Sequence, residues 1–307
     1  MAGDIFYWVL NISILGSVAG LIVMLLRRVR VFPRFGIYLL WTLPLVRLWM
    51  PVGIANQYSL LSFISRYTTK TIIVWEAVPG SPEFSMTNSI QAAESYFPMV
   101  YKTNLLKDIF HIAGTVWAIV MVAAVLCSVL LYIFTKAALK DAEHIKDNVY
   151  RSDKILSPAV YGIIKPKIIL PADIAETDLE YILKHEGIHI QRRDNLWRVV
   201  AVVTACVHWF NPFAWLFLKN FFYDMELACD AGVLKTLKDN DKKDYAAALL
   251  AFSAGKTYYA SAFGGAKTKL RIENILSYKK LTLFSALYFA ILFIAVAVTV
   301  ITNAVGG

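Results

Sequence analysis

The chain has 307 residues, of which 58% are hydrophobic and only 17% charged, and its formal charge is +9. A soluble domain carries about 25% charged and about 45–50% apolar residues, so a wholly soluble chain is excluded and a membrane protein with one modest polar domain is expected. The positive charge lies beside apolar runs, which fits anionic lipid, and no direct nucleic-acid partner is expected.

A transmembrane helix needs about 20 apolar residues. In chain order, residues 5–26, 36–55, 109–134 and 281–302 meet that need. The second is the weakest, since it contains Pro44 and Arg47; Arg47 lies near one end, where its side chain is expected to snorkel to the interface. No basic segment or small-residue cleavage site precedes the first polar break, so no cleaved signal peptide is read. Arg27, Arg28, Arg30 and Arg34 follow the first span, Lys136 and Lys140 follow the third, and Lys279 and Lys280 precede the fourth. The positive-inside rule places all three clusters in the cytoplasm, which requires four spans with both termini outside. Residues 1–135 are then a membrane region with an extracytoplasmic loop at 56–108. Residues 136–280 are a cytoplasmic domain, and 281–307 are the last span with a short outside tail. The aromatic residues of the outer loop are read as interfacial anchors. Cys127, Cys206 and Cys229 are too few for a disulfide framework and read as small buried residues.

Within the cytoplasmic domain, residues 157–171 carry β-branched runs broken by Gly162 and Pro166, which predicts two short strands. The sequence Thr177-Asp178-Leu179-Glu180 has the form of a capping box and predicts a helix running to about Asn195. That helix contains His185-Glu186-Gly187-Ile188-His189. Residues four apart share a helix face, so both imidazoles can reach one metal. Glu186 can then hold a water without ligating it, as in zinc metallopeptidases. Gly187 costs this helix about 1 kcal/mol relative to Ala. A third ligand is needed. Glu226 and Asp230 stand one turn apart on a later helix; one can ligate and the other can fix a histidine tautomer. Spacing does not assign these roles, and Asp224 and Cys229 compete.

Between the two motifs, residues 199–218 are nearly uncharged and broken at Asn211-Pro212. A single crossing there would put Glu226 and the histidines on opposite sides of the bilayer, so a membrane-associated helical hairpin is expected. His208, near the bend, reads as a satisfied core histidine. The fold class is a mainly α membrane protein with four transmembrane helices. Its cytoplasmic domain is a zincin-like α+β metallopeptidase with a small β-sheet and that hairpin.

These features together resemble the beta-lactam-sensing antirepressor membrane metallopeptidases, the penicillinase and methicillin-resistance signal transducers of Gram-positive bacteria. The resemblance rests on Ser157-Pro158 with Gly162 through Pro171, on the His-Glu-x-x-His segment continuing into Arg192-Arg193-Asp194, and on Phe210-Asn211-Pro212. It continues in Glu226 through Asp230 and in Ser261-Ala262-Phe263-Gly264-Gly265 followed by Arg271-Ile272. It implies a Zn2+ site of His185, His189 and Glu226, with Glu186 as general base and Asp230 behind the ligands. It also implies cleavage of a cytoplasmic transcriptional repressor in antibiotic-resistance signalling, and self-cleavage, expected near Ala262 and Phe263. Beta-lactam-sensing relatives carry a penicillin-binding domain after the fourth span, and with the sequence ending at Gly307 none is expected here. A separate sensor protein and a second copy of the chain are the further partners considered. The competing readings are a housekeeping zinc protease that clears membrane proteins, and a non-enzymatic receptor or scaffold with a structural zinc site. For the oxyanion, Tyr223 and Arg193 are the candidates, and the substrate strand is expected on an edge near residues 163–170.

Overall fold

The computed structural model describes residues 2–29, 32–51, 53–62, 85–88, 93–96, 103–253, 268–278 and 282–303. The proposed cleavage position at Ala262 and Phe263 lies outside them. Three described helices are long and apolar enough to cross a membrane: α1 (Ala2–Leu26), α4 (Asn104–Ala138) and α10 (Leu283–Ile301). Leu130, Phe134, Phe284 and Ile291 are all exposed along α4 and α10, an apolar surface far larger than a soluble protein shows, and one that lipid would cover. The expected span at 36–55 is instead two short helices, α2 (Arg34–Leu40) and α3 (Thr42–Trp49). Pro44 falls in the first turn of α3, where its missing N–H costs nothing. At about 1.5 Å per residue the pair rises roughly 24 Å, short of the ~30 Å hydrocarbon core.

Arg47 does not snorkel. It is 1% exposed, and its guanidinium donates to the Ile301 carbonyl at 3.1 Å and to Asn303 Oδ1 at 2.9 Å. A cation therefore meets the unsatisfied carbonyls at the C-terminal end of α10, where the helix dipole favours it. Cys127 is exposed on α4, contrary to the expectation for it, whereas Cys206 and Cys229 are buried.

The sheet that supports the site has four strands: β3 (Glu143–Lys146), β4 (Val149–Ser152), β5 (Ala159–Tyr161) and β6 (Lys167–Pro171), in the order β3-β4-β6-β5. A separate hairpin, β1 (Ser85–Asn88) with β2 (Ala93–Tyr96), lies in the loop before α4. Strands β5 and β6 are the two expected ones, joined through Gly162 at φ 96°. Strands β3 and β4 lack the apolar alternation that would mark them; β3 is exposed throughout. Strand β6 pairs on both sides, parallel with β4 and antiparallel with β5, so the free edge is not at residues 163–170. The edge on that side is β5, where the Asn195 amide donates to the carbonyls of Val160 (3.1 Å) and Gly162 (2.9 Å).

Val160, Ile168, Leu170 and Ile182 form the core that seats helix α5 (Glu176–Gln191) on this sheet. The helix starts one residue before the expected cap: Ala175 is the N-cap, no side chain caps it, and Thr177 lies inside the first turn. Glu176 and Asp178 stabilise that turn through the helix dipole. It also ends at Gln191, short of Asn195. Arg193 takes the left-handed conformation at φ 56°, uncommon for a residue with a Cβ, and the chain turns into α6 (Asp194–Val207).

Helices α6 and α7 (Pro212–Thr236) form the expected hairpin, turning at residues 208–211. Asn211 caps α7 by accepting from the Phe213 N–H at 2.9 Å, with Pro212 in the first position. His208 and Asn211 of the tip are buried against the preceding helices, with most of their polar atoms matched and His208 Nδ1 without a partner among the described residues. The Asn211 amide donates to Ser13 Oγ and Ser17 Oγ, each at 2.8 Å, His208 Nε2 meets the Leu48 carbonyl at 3.0 Å, and Trp117 Nε1 donates to the Val207 carbonyl at 2.8 Å. Such pairing is what an apolar surrounding demands. His208 is thus buried as expected, but only its Nε2 is satisfied. The main core joins α2, α3, α6, α7 and α10 around Tyr38, Trp41, Phe217, Phe221 and Phe289. A second core closes α7 against α8 (Lys242–Ser253) and α9 (Thr268–Leu276) through Val233, Leu234, Tyr245 and Ile275.

Candidate metal centre

Helix α5 presents His185 and His189 on one buried face, 6% and 3% exposed. Their rings meet edge to face, with the two Nε2 atoms 3.2 Å apart. Helix α7 brings Glu226 across: one carboxylate oxygen lies 3.5 Å from His185 Nε2 and the other 3.6 Å from His189 Nε2. Donors about 2.0–2.1 Å from a tetrahedral zinc stand about 3.4 Å apart, so this spacing is that of a three-donor set.

The hydrogen bonds behind the rings decide what the Nε2 atoms can do. Tyr245 donates its hydroxyl proton to Asp230 Oδ1 at 2.8 Å. Its oxygen is left to accept from His185 Nδ1 at 2.9 Å. His189 Nδ1 donates to Asp194 Oδ2 at 2.6 Å. Both Nδ1 positions therefore carry a proton, so in the neutral rings it is the Nε2 atoms, aimed at each other and at the Glu226 carboxylate, that are left to ligate. Two ring nitrogens and a carboxylate converging on one point are a set that a cation there holds together. Zinc, which takes imidazole and carboxylate donors, fits this set.

Three guanidiniums balance the three acids. Arg198 Nη2 reaches Glu226 Oε1 at 3.0 Å, Arg271 grips Asp230 at 2.7 and 2.8 Å, and Arg192 Nη2 lies 3.2 Å from Asp194 Oδ2. Arg271 also reaches Glu226 at 3.4 Å. Burial alone would push the Glu226 carboxyl up, but His189, His185 and Arg271 outweigh it and hold its pKa well below the usual carboxylate range. Burial likewise opposes charge on His185, yet Cys229, Tyr245 and Asp230 raise its pKa well above the usual value. The anions around this cavity outweigh burial and favour a positive charge in it.

Glu186 is 7% exposed beside the histidines, and among the described residues no hydrogen bond or ion pair holds its carboxylate. Asp230 stands behind His185, its Oδ1 3.4 Å from Nδ1, with Tyr245 completing the link. Asp224 does not join the donors: it accepts from Arg27 at 2.9 and 3.0 Å and from Trp41 Nε1 at 2.8 Å, fastening α7 to α1 and α2. Cys229 is drawn in, since its sulfur and ligand atoms of His185 and His189 lie within 4.8 Å of one another. Tyr223 lies under Arg27 at 5.4 Å, and Arg193 forms the turn before α6. The cations on Glu226 are Arg198 and Arg271 instead.

Asp194, Tyr245 and Arg198 were not singled out by sequence reasoning as working parts of the site. Asp194 carries a faint signal, an acid five residues beyond the second histidine after two arginines. Tyr245 carries none, because its place depends on α8 folding back. Replacing Tyr245 with Phe removes the acceptor for His185 Nδ1–H. We expect metal affinity to fall by about tenfold, the low end of such losses, because Asp230 stands close enough to take over; a competitive chelator titration measures it. At Gly187 an added Cβ meets nothing within 4 Å. Gly187→Ala is therefore expected to stabilise the folded chain by up to about 1 kcal/mol, read as a higher thermal midpoint in detergent.

A family model described as BlaR1 peptidase M56 matches residues 7–275. The Regulatory protein BlaR1 of Bacillus licheniformis is 33% identical over 135 residues, covering 43% of this chain and 22% of that protein. The Methicillin resistance mecR1 protein of Staphylococcus aureus is 32% identical over 112 residues, covering 35% of this chain and 19% of that one. The Regulatory protein BlaR1 of Staphylococcus aureus is 24% identical over 138 residues, 41% and 24%. The chain thus matches about a fifth to a quarter of the length of these relatives. Since the family match covers most of the chain, including α4, the paired histidines and Glu226, the chain belongs to the BlaR1 peptidase M56 family.

Proposed function

We propose that this protein is a membrane-embedded zinc endopeptidase of a regulatory pathway, and that its substrate is a cytoplasmic transcriptional repressor. The observation that carries the metal reading is the convergence of the two Nε2 atoms and the Glu226 carboxylate at 3.2–3.6 Å from one another, the spacing of donors around one zinc. The names of the relatives, a regulatory protein and a methicillin-resistance protein, favour signalling in antibiotic resistance over housekeeping degradation. In this reading α2 and α3 make the fourth crossing with help from their neighbours, both termini are outside, and the arginine and lysine clusters keep the centre on the cytoplasmic side.

His185, His189 and Glu226 hold the ion, and Asp194, Tyr245 and Asp230 fix the ring orientations. A bound zinc supplies a Lewis acid for the scissile carbonyl and a water of pKa about 7. Glu186, whose carboxylate no described neighbour holds, takes the proton of the attacking water and delivers it to the leaving amine. Arg198, about one-third exposed on its side chain, lies where it can donate to the carbonyl oxygen as charge develops. An extended substrate adds to the β5 edge by main-chain hydrogen bonds, exchanging them for those of Asn195.

The test is a proteome comparison in the native bacterium between wild type and Glu186→Ala under inducing conditions. A repressor fragment present only in wild type is expected. An intact repressor in both strains, with regulation unchanged, would remove the assignment.

A further inference from the structure

We propose that Cys229 is a fourth donor to the metal held by His185, His189 and Glu226, and that its thiolate shuts the centre into a latent form. The inference rests on the metal reading above. Cys229 follows Glu226 by three residues on α7, so both side chains leave the same helix face. Its sulfur lies with the ligand atoms of His185 and His189 within 4.8 Å of one another, and the residue is 0% exposed. The S–H donates to the His185 carbonyl at 3.2 Å, a weak bond that a stronger partner replaces. Thiolate is among the best donors for zinc.

The consequence follows from counting donors. Two imidazoles and one carboxylate leave a tetrahedral ion one open position, which catalysis needs; a fourth protein donor makes a closed, structural-type site. Closing moves the sulfur off the His185 carbonyl onto the ion. The thiol proton passes to the departing water, which leaves as hydronium. Opening reverses this: water returns, the sulfur regains a proton, and the S–H bond to His185 reforms. The structure has the sulfur in the open arrangement. No other cysteine can serve, since Cys127 is exposed on α4 and Cys206 sits on α6 near Ser128 Oγ at 3.8 Å.

The experiment uses the full chain in detergent, loaded with cobalt, with metal content measured by mass spectrometry. One cobalt per chain and a thiolate-to-cobalt charge-transfer band in the near ultraviolet are expected. The band should persist when Cys127 and Cys206 are both changed to Ser. Cys229→Ser should lose the band, keep the cobalt, and hydrolyse an unstructured protein substrate severalfold faster when zinc-loaded. One cobalt without the band in the wild-type chain overturns the role of Cys229 and leaves the metallopeptidase reading standing. A chain that takes up no metal overturns both. A band in wild type with no gain in Cys229→Ser overturns the latency. Should Cys229→Ser fail to fold, the bands of wild type and the Cys127/Cys206 variant still decide whether the thiolate binds.

Discussion

Glu186→Ala should retain its metal and lose peptide hydrolysis by about 10²–10⁴-fold, the contribution of a positioned general base. Glu186 shares α5 with the two histidines but makes none of the contacts that gather them, so its removal leaves His185, His189 and Glu226 at 3.2–3.6 Å from one another. Nor does another partner depend on it, since no described residue holds its carboxylate. The check pairs metal stoichiometry with turnover of an unstructured protein substrate. A metal-loaded variant cutting at the wild-type rate would show that the proton is carried by another group. Loss of the metal together with the activity would show that Glu186 is a ligand.

The second large effect is expected at Asp194, a residue far from the substrate in role but central to the fold. It is 0% exposed and accepts from His189 Nδ1 at 2.6 Å and from the Tyr38 hydroxyl at 2.9 Å, with Arg192 at 3.2 Å. Asp194→Ala strips a buried guanidinium of its counter-charge and leaves two donors unmatched. Breaking such a buried pair costs about 3–5 kcal/mol, and freeing a ligand imidazole costs about 10–100-fold in metal affinity. Asp194→Asn keeps the shape and one acceptor, so its stability loss should be the smaller. Thermal unfolding in detergent with and without chelator separates the two effects: the chelated chain reports the packing loss, and the zinc-dependent increment reports the affinity. An Asp194→Ala chain as stable as wild type under chelation would refute the structural half. Because Tyr38 lies on α2, this hydrogen bond also ties that helix directly to the back of a ligand ring.

The spans at α1, α4 and α10 were legible because lipid imposes one rule, length with apolarity, and long uncharged runs satisfy it in plain view. The hairpin was legible for a related reason: a ligand set divided by an uncharged stretch permits only an even number of crossings, and Asn211-Pro212 marks where the chain can turn. The weakest span did not appear as one helix: the chain breaks at Trp41 into two short helices, which pack against α7 and α10. Arg47 was misread for a similar reason. Its destination, the carbonyl end of α10, is supplied by a segment 254 residues later. The capping box was also a local pattern overridden: seating α5 on β5 and β6 moved its start to Glu176.

The chemistry was written locally where one helix turn carries it. His185, Glu186 and His189 owe their common face to the 3.6-residue period, and Glu226, Cys229 and Asp230 owe theirs to the same period on α7. What tertiary structure alone decided is which acid meets which ring. Asp224 is turned away to Arg27 and Trp41, Asp230 is held behind His185 by Arg271, and Glu226 is left to face both Nε2 atoms. Periodicity determines a direction on one helix, whereas a metal site is a set of distances between helices. Those distances are set by the packing of α5, α7 and α8 and by the hydrogen bonds of Asp194 and Tyr245, none of which a linear pattern encodes.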